Sequence, residues 1–260
     1  MKKIVTFFFL IFTFENISFS QYIINGSAIQ NSCNCYTLTV AQNNLGGSVW
    51  QANKINLSNS FDFTFNVYLG CADATGADGI VFILQPLSTS LGISGGGMGF
   101  GGVSPSIGIA LDTWQNTDYN DPVFDHVSIQ SNGNSVHGAD LAGPVQTSAI
   151  NVNIEDCQWH LFRVSWNSTT HWLRAYFDDS LRVEAQVNLV TSIFNNDPWV
   201  YWGFSKQMKM DIAWLYSDSA QKKTLTTQVP FQPVKDSIAN YSIDFFPKKL
   251  FNVWPMETAV

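Results

Sequence analysis

A chain of 260 residues with 13% charged residues, 14% aromatic residues and 18 glycines suits one large β-rich domain, or a domain with a short tail. Its net charge of −7, with no cluster of Lys and Arg, argues against nucleic acid and anionic membrane surfaces as partners. Helical periodicity is nearly absent, which excludes helical bundles and helix-crossover folds.

Residues 1–20 read as a secretory signal peptide. Lys2 and Lys3 precede an apolar run at 4–14, and Ser18 and Ser20 supply small residues for cleavage before Gln21. The run is too short to span a membrane, and no later segment is long or apolar enough to do so. In an exported chain the four cysteines, Cys33, Cys35, Cys71 and Cys157, favour disulfides, with three pairings available. Cys33 and Cys35 lie too close along an extended strand to be partners, so each is expected to reach Cys71 or Cys157. A zinc site is the weaker reading, because no histidine stands at ligand spacing to them.

Residues 61–69, FDFTFNVYL, alternate strictly, with Phe61, Phe63, Phe65, Val67 and Leu69 on one face of a half-buried strand. Residues 79–84, GIVFIL, are apolar on both faces and predict a central strand covered on both sides. A glycine-rich stretch follows at 93–102, which lets backbone approach a ligand closely. It is no phosphate loop, since neither a Gly-Lys-Ser/Thr sequence nor a helix comes after it.

Residues 107–130, IGIALDTWQNTDYNDPVFDHVSIQ, predict a strand, a polar loop and a return strand. Residues two apart share a strand face, so Ile107, Ile109 and Leu111 oppose Ala110 and Asp112, and His126 and Ser128 oppose Val127 and Ile129. The loop carries Asp112, Asn116, Asp118, Asn120, Asp121, Asp125 and His126, an oxygen-rich set of the kind calcium needs. Asp and Asn also initiate turns, so the loop alone does not establish a metal site. Further strands are expected at 160–166, 172–177, 182–187 and 200–204, with a hairpin turn at 177–181. Many strands separated by polar turns give two antiparallel sheets packed face to face.

Three separated pieces then align: Gly76-Ala77-Asp78-Gly79, the glycine run at 95–97, and the loop with Asp112, Trp114, Asn116, Asp121-Pro122 and His126. In this order and spacing they resemble the legume-type (L-type) lectin family over roughly residues 32–205. The phrases CNCYTLT, GADGIVFILQP, EDCQWH and VYWGFS resemble its exported bacterial members. The resemblance implies a concanavalin-like jelly-roll sandwich that binds glycans. It implies calcium bound by the Asp112 and Asp121 carboxylates, the Trp114 backbone carbonyl and the Asn116 amide oxygen. Asp78, Gly97 and Asn116 would hydrogen-bond a monosaccharide, the Trp114 ring would stack on it, and the Ala77–Asp78 peptide would be cis. Family members also pair through flat back sheets, a homodimer these residues do not decide.

Two departures stand out. Plant members carry a Glu as a transition-metal ligand where this chain has Ala110, so the second metal position, with His126, is expected to be degraded. After Ser205, where the family continues with a sugar-selecting loop, the chain reads Lys206-Gln207-Met208-Lys209-Met210-Asp211. Residues 211–217 suit a closing strand. The domain is placed at 21–219, and residues 220–260 form a tail that fits no pattern, through divergence or a shifted reading frame. Rival functions are a sandwich module that has lost sugar binding, and a glycoside hydrolase of the same fold. Hydrolysis requires a pair of carboxylates flanking the bond. The glutamates Glu15, Glu155, Glu184 and Glu257 form no such pair on one strand face, and Asp112 and Asp121 are assigned to metal.

Overall fold

The computed structural model describes residues 22–32, 34–40, 44–74, 76–92 and 97–207, and the backbone of two later strands at 213–217 and 243–247. The first strands are β1 (Tyr22–Gly26), β2 (Ile29–Ser32), β3 (Cys35–Thr39), β4 (Gly46–Gln51), β5 (Ile55–Asn56) and β6 (Phe61–Tyr68). Then come β7 (Gly79–Gln85), β8 (Ile107–Asp112), β9 (His126–Ser131), β10 (Ala142–Gln146) and β11 (Trp159–Asn167). The chain continues through β12 (Trp172–Phe177), β13 (Ser180–Gln186), β14 (Trp199–Gln207), β15 (Ala213–Ser217) and β16 (Ile243–Pro247). Among the described residues, helix is confined to a 3-10 turn at Thr117–Tyr119 and one α-turn at Leu189–Ser192. Among the described residues, no helix is long and apolar enough to cross a membrane.

The strands form a jelly-roll sandwich of two sheets. The front sheet runs β1-β4-β14-β7-β8-β9-β10, with β5 added to β14; the back sheet runs β13-β12-β11-β6-β15-β16-β3-β2. Among the described residues, all strand pairings are antiparallel except β15 with β16. Alternation along β6 puts Phe63 and Phe65 between the sheets, where Phe65 meets Phe82 of β7, Phe204 of β14 and Phe162 of β11 with ring centroids 5.8, 4.8 and 6.2 Å apart. Burying aromatics of this size supplies most of the drive for the two sheets to close on each other. Strand β7 is buried along its whole length, as its two-sided apolar sequence requires. Its other face, Val81 and Ile83, packs with Trp50, Ala110, Met98 and Phe100, so the segment after the glycine run lies over the front sheet as a second apolar layer.

Three regions bear on the expectations. Cys71 and Cys157 bond each other, with Cα atoms 4.6 Å apart across a sequence separation of 86, so neither is left for Cys35 or Cys33. The cause is sheet register: β6 and β11 are adjacent, with Tyr68 opposite Trp159, and both cysteines sit just beyond the same end of that pair. The Cys157 N–H also donates to the Gly70 carbonyl at 2.8 Å. Cys35 opens β3, and Cys33 lies outside the described residues. Next, Lys206 and Gln207, where the chain departs from the family's pattern, extend β14 opposite Gly47 and Gly46 of β4. Met208 to Asp211 lie outside the described residues, as do the proposed signal peptide and most of the tail.

Finally, the region past Ser205 carries two strands. β15 pairs with β3 and with β6 near Tyr68, while β16 pairs with β3 and with β6 as far as Phe63. They fill the same gap in the back sheet, one towards each end. The closing strand expected at 211–217 is therefore present. The segment at 220–260, expected to fit no pattern, contributes β16 to the same sheet.

Candidate functional site

The site is built on one row of the front sheet. Gly79 of β7 is opposite Asp112 of β8, and Asp112 is opposite His126 of β9. That register brings three distant pieces of sequence to one end of the sheet. Asp78 immediately precedes the row, and its carbonyl accepts from the Thr113 N–H at 3.2 Å. The Ala77–Asp78 peptide is cis, as the resemblance implied. Gly79 has φ +105°, and a Cβ there would collide with the Leu111 carbonyl, so only glycine admits the tight pairing that sets Asp78 beside Asp112.

Beyond Asp112 the chain folds back on itself. The Trp114 N–H donates to Asp112 Oδ1 at 2.9 Å. The 3-10 turn follows: the Tyr119 N–H donates to the Asn116 carbonyl at 2.9 Å, and Asn120 closes the turn in the left-handed region at φ 61°. Asp121 thereby returns over Asn116, whose N–H donates to Asp121 Oδ2 at 2.6 Å. Asp125 has a different task. Its Oδ2 accepts from the Ile154 N–H at 2.7 Å, tying down the 147–154 connection, and burial first, then the nearby Asp73 charge, push it up to about 7.

Asp78, Gly97, Asp112, Asn116 and Tyr119 line a common cleft of about 240 Å³, closed on its sides by Asn44, Gln130, Ser135 and Gln207. This is below the roughly 300–1,000 Å³ of pockets for drug-sized ligands and suits one small polar molecule. Gly97 has φ +64°, and an added Cβ would come within 2.7 Å of the Ser135 Cβ. Trp114, half-buried, is not among the lining residues, and Tyr119 is the aromatic residue that lines the cleft. Gln207, Asn44 and Tyr119 carry no motif signal. Gln207 is delivered by the extension of β14, which only sheet pairing reveals.

The electrostatics are those of a site lacking a counter-charge. Burial raises the Asp112 carboxyl well above the usual carboxylate range, and the charges of Asp121, Asp78 and Asp125 push it the same way against the Trp114 N–H. Burial also raises Asp121, opposed by the Asn116 N–H and by His137. Asp121 Oδ1 is buried and accepts no hydrogen bond. An orphaned buried carboxylate oxygen beside other carboxylates is costly unless a cation meets it. The carboxylates of Asp112 and Asp121, the Asn116 amide and a neighbouring backbone carbonyl are all-oxygen donors that fit a hard divalent ion.

His126, expected to belong to a degraded second metal position, has a buried neighbour. It meets His137, which motif spacing does not single out, and the two form a group with Asp121 whose ligand atoms lie within 4.8 Å of one another. His137 is brought there by its N–H, which donates to the Tyr119 carbonyl at 2.9 Å, and by Asn120 Nδ2, which donates to the His137 carbonyl at 3.2 Å. Burial, then the neighbouring His137, lowers His126 to about 4, against the pull of the Phe124 carbonyl, so its ring is neutral at physiological pH.

Comparison with known proteins agrees with this architecture. The family model of the legume lectin β-barrel domain matches residues 14–206. A galactose-binding lectin of Arachis hypogaea is 38% identical over 78 residues, covering 24% of this chain and 29% of the relative. Lectin-4 of Griffonia simplicifolia is 35% identical over 81 residues, covering 28% and 33% respectively, so the aligned stretch spans a third or less of these relatives. Among solved structures, the Bauhinia forficata lectin in complex with GalNAc superposes with TM-score 0.61 at 19% identity, over 76% of this chain and 90% of that one. The metal-free form of lectin I-B4 from Griffonia simplicifolia gives 0.60 at 18% identity, over 76% and 91%. The structural likenesses bear on the fold alone; with the family match across most of its length, the chain belongs to the legume lectin domain family.

Proposed function

We propose that the cleft binds a monosaccharide unit of a glycan in a calcium-dependent way, and that the chain acts as an exported lectin rather than an enzyme. The observation carrying this reading is the convergence of Asp78, Gly97 and Asn116 on one small cleft that the buried Asp112 also lines, with the buried Asp121 bonded to the Asn116 N–H. Asp112, Asp121, the Asn116 amide oxygen and the Trp114 carbonyl hold the calcium ion. The Asp78 carboxylate accepts from sugar hydroxyls, while the Gly97 N–H and the Asn116 amide donate to the sugar. Anchoring the Asn116 oxygen aims its NH₂ in advance and lowers the ordering cost of binding. Tyr119, the aromatic lining the cleft, takes the stacking role on the apolar sugar face. The Cys71–Cys157 bridge supports an oxidising, extracellular setting for the exported chain, and the four phrases similar to bacterial members support that branch.

A glycan array probed with the full chain tests this. Binding in millimolar calcium, lost in EDTA and restored by calcium, is the expected result. A folded protein that retains no glycan in calcium overturns it, and leaves a sandwich module in which Lys206 and Gln207 prolong β14 where family members continue with a sugar-selecting loop.

A further inference from the structure

Gln130 lines the cleft from β9, and none of the roles assigned to calcium or sugar uses it. Strand alternation puts it on the outer face of the front sheet with His126 and Ser128. It lies four residues along β9 from the row that carries Asp112, about 13 Å further down the sheet. Only 3% of the residue is exposed. Gly108 stands opposite it on β8, and the Phe100 ring covers that glycine, so one flank of Gln130 is apolar.

The amide is held by one end. Gln130 Nε2 donates to the Ser135 carbonyl at 3.4 Å, and the side chain also hydrogen-bonds the Asp140 carboxylate. Both partners are acceptors, so together they fix the NH₂ on their side and turn Oε1 the other way. Oε1 is buried and, among the described residues, accepts no hydrogen bond. An amide oxygen in that state bears its full desolvation cost until a donor reaches it. Gln207 Oε1, at the end of β14, is a second buried acceptor on the cleft without a donor. With the carboxylates of Asp78 and Asp112 the cleft is rich in acceptors, and no Lys, Arg or His is among the described residues lining it. Such a lining suits an uncharged molecule with several hydroxyl donors.

We propose that Gln130 is a specificity-determining residue of the cleft, its Oε1 accepting from a ring hydroxyl of a neutral sugar at the edge turned away from Asp78 and Asn116. This role rests on the carbohydrate reading above and adds a requirement to it. A pyranose carries hydroxyls on opposite edges of its ring. Asp78 and Asn116 hold one edge, and Gln130, further down the sheet, reads the other. A sugar without that hydroxyl leaves Oε1 buried against C–H, which is how a polar site rejects an analogue.

Full-length protein in saturating calcium is titrated calorimetrically with the methyl glycosides of glucose, mannose, galactose and fucose, and with the monodeoxy forms of each one bound. In the wild type, removing one hydroxyl beyond those held by Asp78 and Asn116 is expected to weaken binding about three- to tenfold. Gln130→Leu, close in volume but lacking the acceptor, is expected to bind the parent sugar more weakly by the same factor and to ignore that deletion. Deletions at the other edge weaken both proteins alike. A deoxy profile identical in wild type and Gln130→Leu overturns this role alone and leaves sugar binding standing. A folded wild type that binds none of the four sugars overturns it together with the carbohydrate reading. If Gln130→Leu fails to fold, the side-chain amide resonances of the wild type decide. Those of Gln130 and Asn116 are both expected to shift on saturation with sugar, and a Gln130 signal that stays fixed while that of Asn116 moves is fatal to the idea.

Discussion

The outer face of the back sheet and the loop end of the front sheet both gather charged side chains, and they treat them in opposite ways. On the back face charges come in pairs. Arg163 Nε and Nη2 donate to the two oxygens of Asp62 at 2.7 and 2.6 Å with the guanidinium over Tyr176, and Arg174 donates to Glu184 at 2.8 Å above Trp172. At the loop end of the front sheet, acceptors meet acceptors: Asp112, Asp121, His126 and His137 crowd together, with Asp121 Oδ1 unsatisfied. Paired, half-exposed charges cost little and contribute little. Buried acceptors without donors destabilise a fold unless something positive joins them. The difference separates a surface whose charges are balanced within the fold from an end whose buried acceptors fit the ion and the ligand proposed for it.

The sharpest break of that contrast comes from removing the ion or its shared anchor. Chelation is expected to abolish glycan retention and lower Tm by about 5–15 °C, the size set by a ligand present at 100 to 1,000 times its Kd. Asp121→Ala should reproduce the loss of binding even in excess calcium. A calorimetric scan unmoved by EDTA would remove the cation from the account. Next in size are Asp78→Ala and Asn116→Ala, each expected to cost about 1.5–3 kcal/mol of glycan affinity, as a lost charge-assisted or pre-aimed hydrogen bond does. Circular dichroism should stay unchanged, and persisting affinity in both variants would place the site elsewhere. Gly97→Ala is smaller still. It forces a side chain into the left-handed region against Ser135, at about 1–3 kcal/mol, read as weaker glycan binding and an earlier urea midpoint.

His160 offers an intermediate case, a buried ring whose acceptor partners are satisfied. It lies between Asp178 at 2.9 Å and Asp156 at 3.1 Å and stacks on Phe177. Burial pulls its pKa down, but the hydrogen bond and charge of Asp178, aided by Asp156, raise it overall. Asp178, which burial would raise, is lowered by His160 and the Leu161 N–H. A raised histidine stabilises fully below its unfolded value and loses that effect as pH rises through the folded value. A lowered aspartate stabilises above its unfolded value and loses it as pH falls through the folded one. The pair should therefore contribute most between about pH 4 and 6.5. The Tm difference between wild type and His160→Gln should peak in that window, and a difference flat across pH would contradict the linkage. Smallest of all is Arg163→Ala on the back face, expected to cost at most about 1 kcal/mol in chemical denaturation and to leave glycan binding intact.

Much of this molecule was legible in the linear chain because the information is local. Strict alternation at residues 61–69 and two-sided apolarity at 79–84 identify strands, since a period of two is a property of the extended backbone itself. The oxygen-rich loop between Asp112 and Asp121 is contiguous, so its potential as a cation clamp is visible in a single window. Asp78 and Gly97 were reachable only through family resemblance; the structure explains the arrival of Asp78 by one row of register, Gly79 to Asp112 to His126, and that of Gly97 by the packing of Met98 and Phe100 over Val81 and Ile83. The Cys71–Cys157 bridge, the extension of β14 that delivers Gln207, the shared closing gap of β15 and β16, and above all the encounter of His137 with His126 belonged to tertiary structure alone. Short-range spacing constrains which residues share a face. It does not choose among distant partners, because that choice depends on strand order, register and the backbone hydrogen bonds that dock one loop on another.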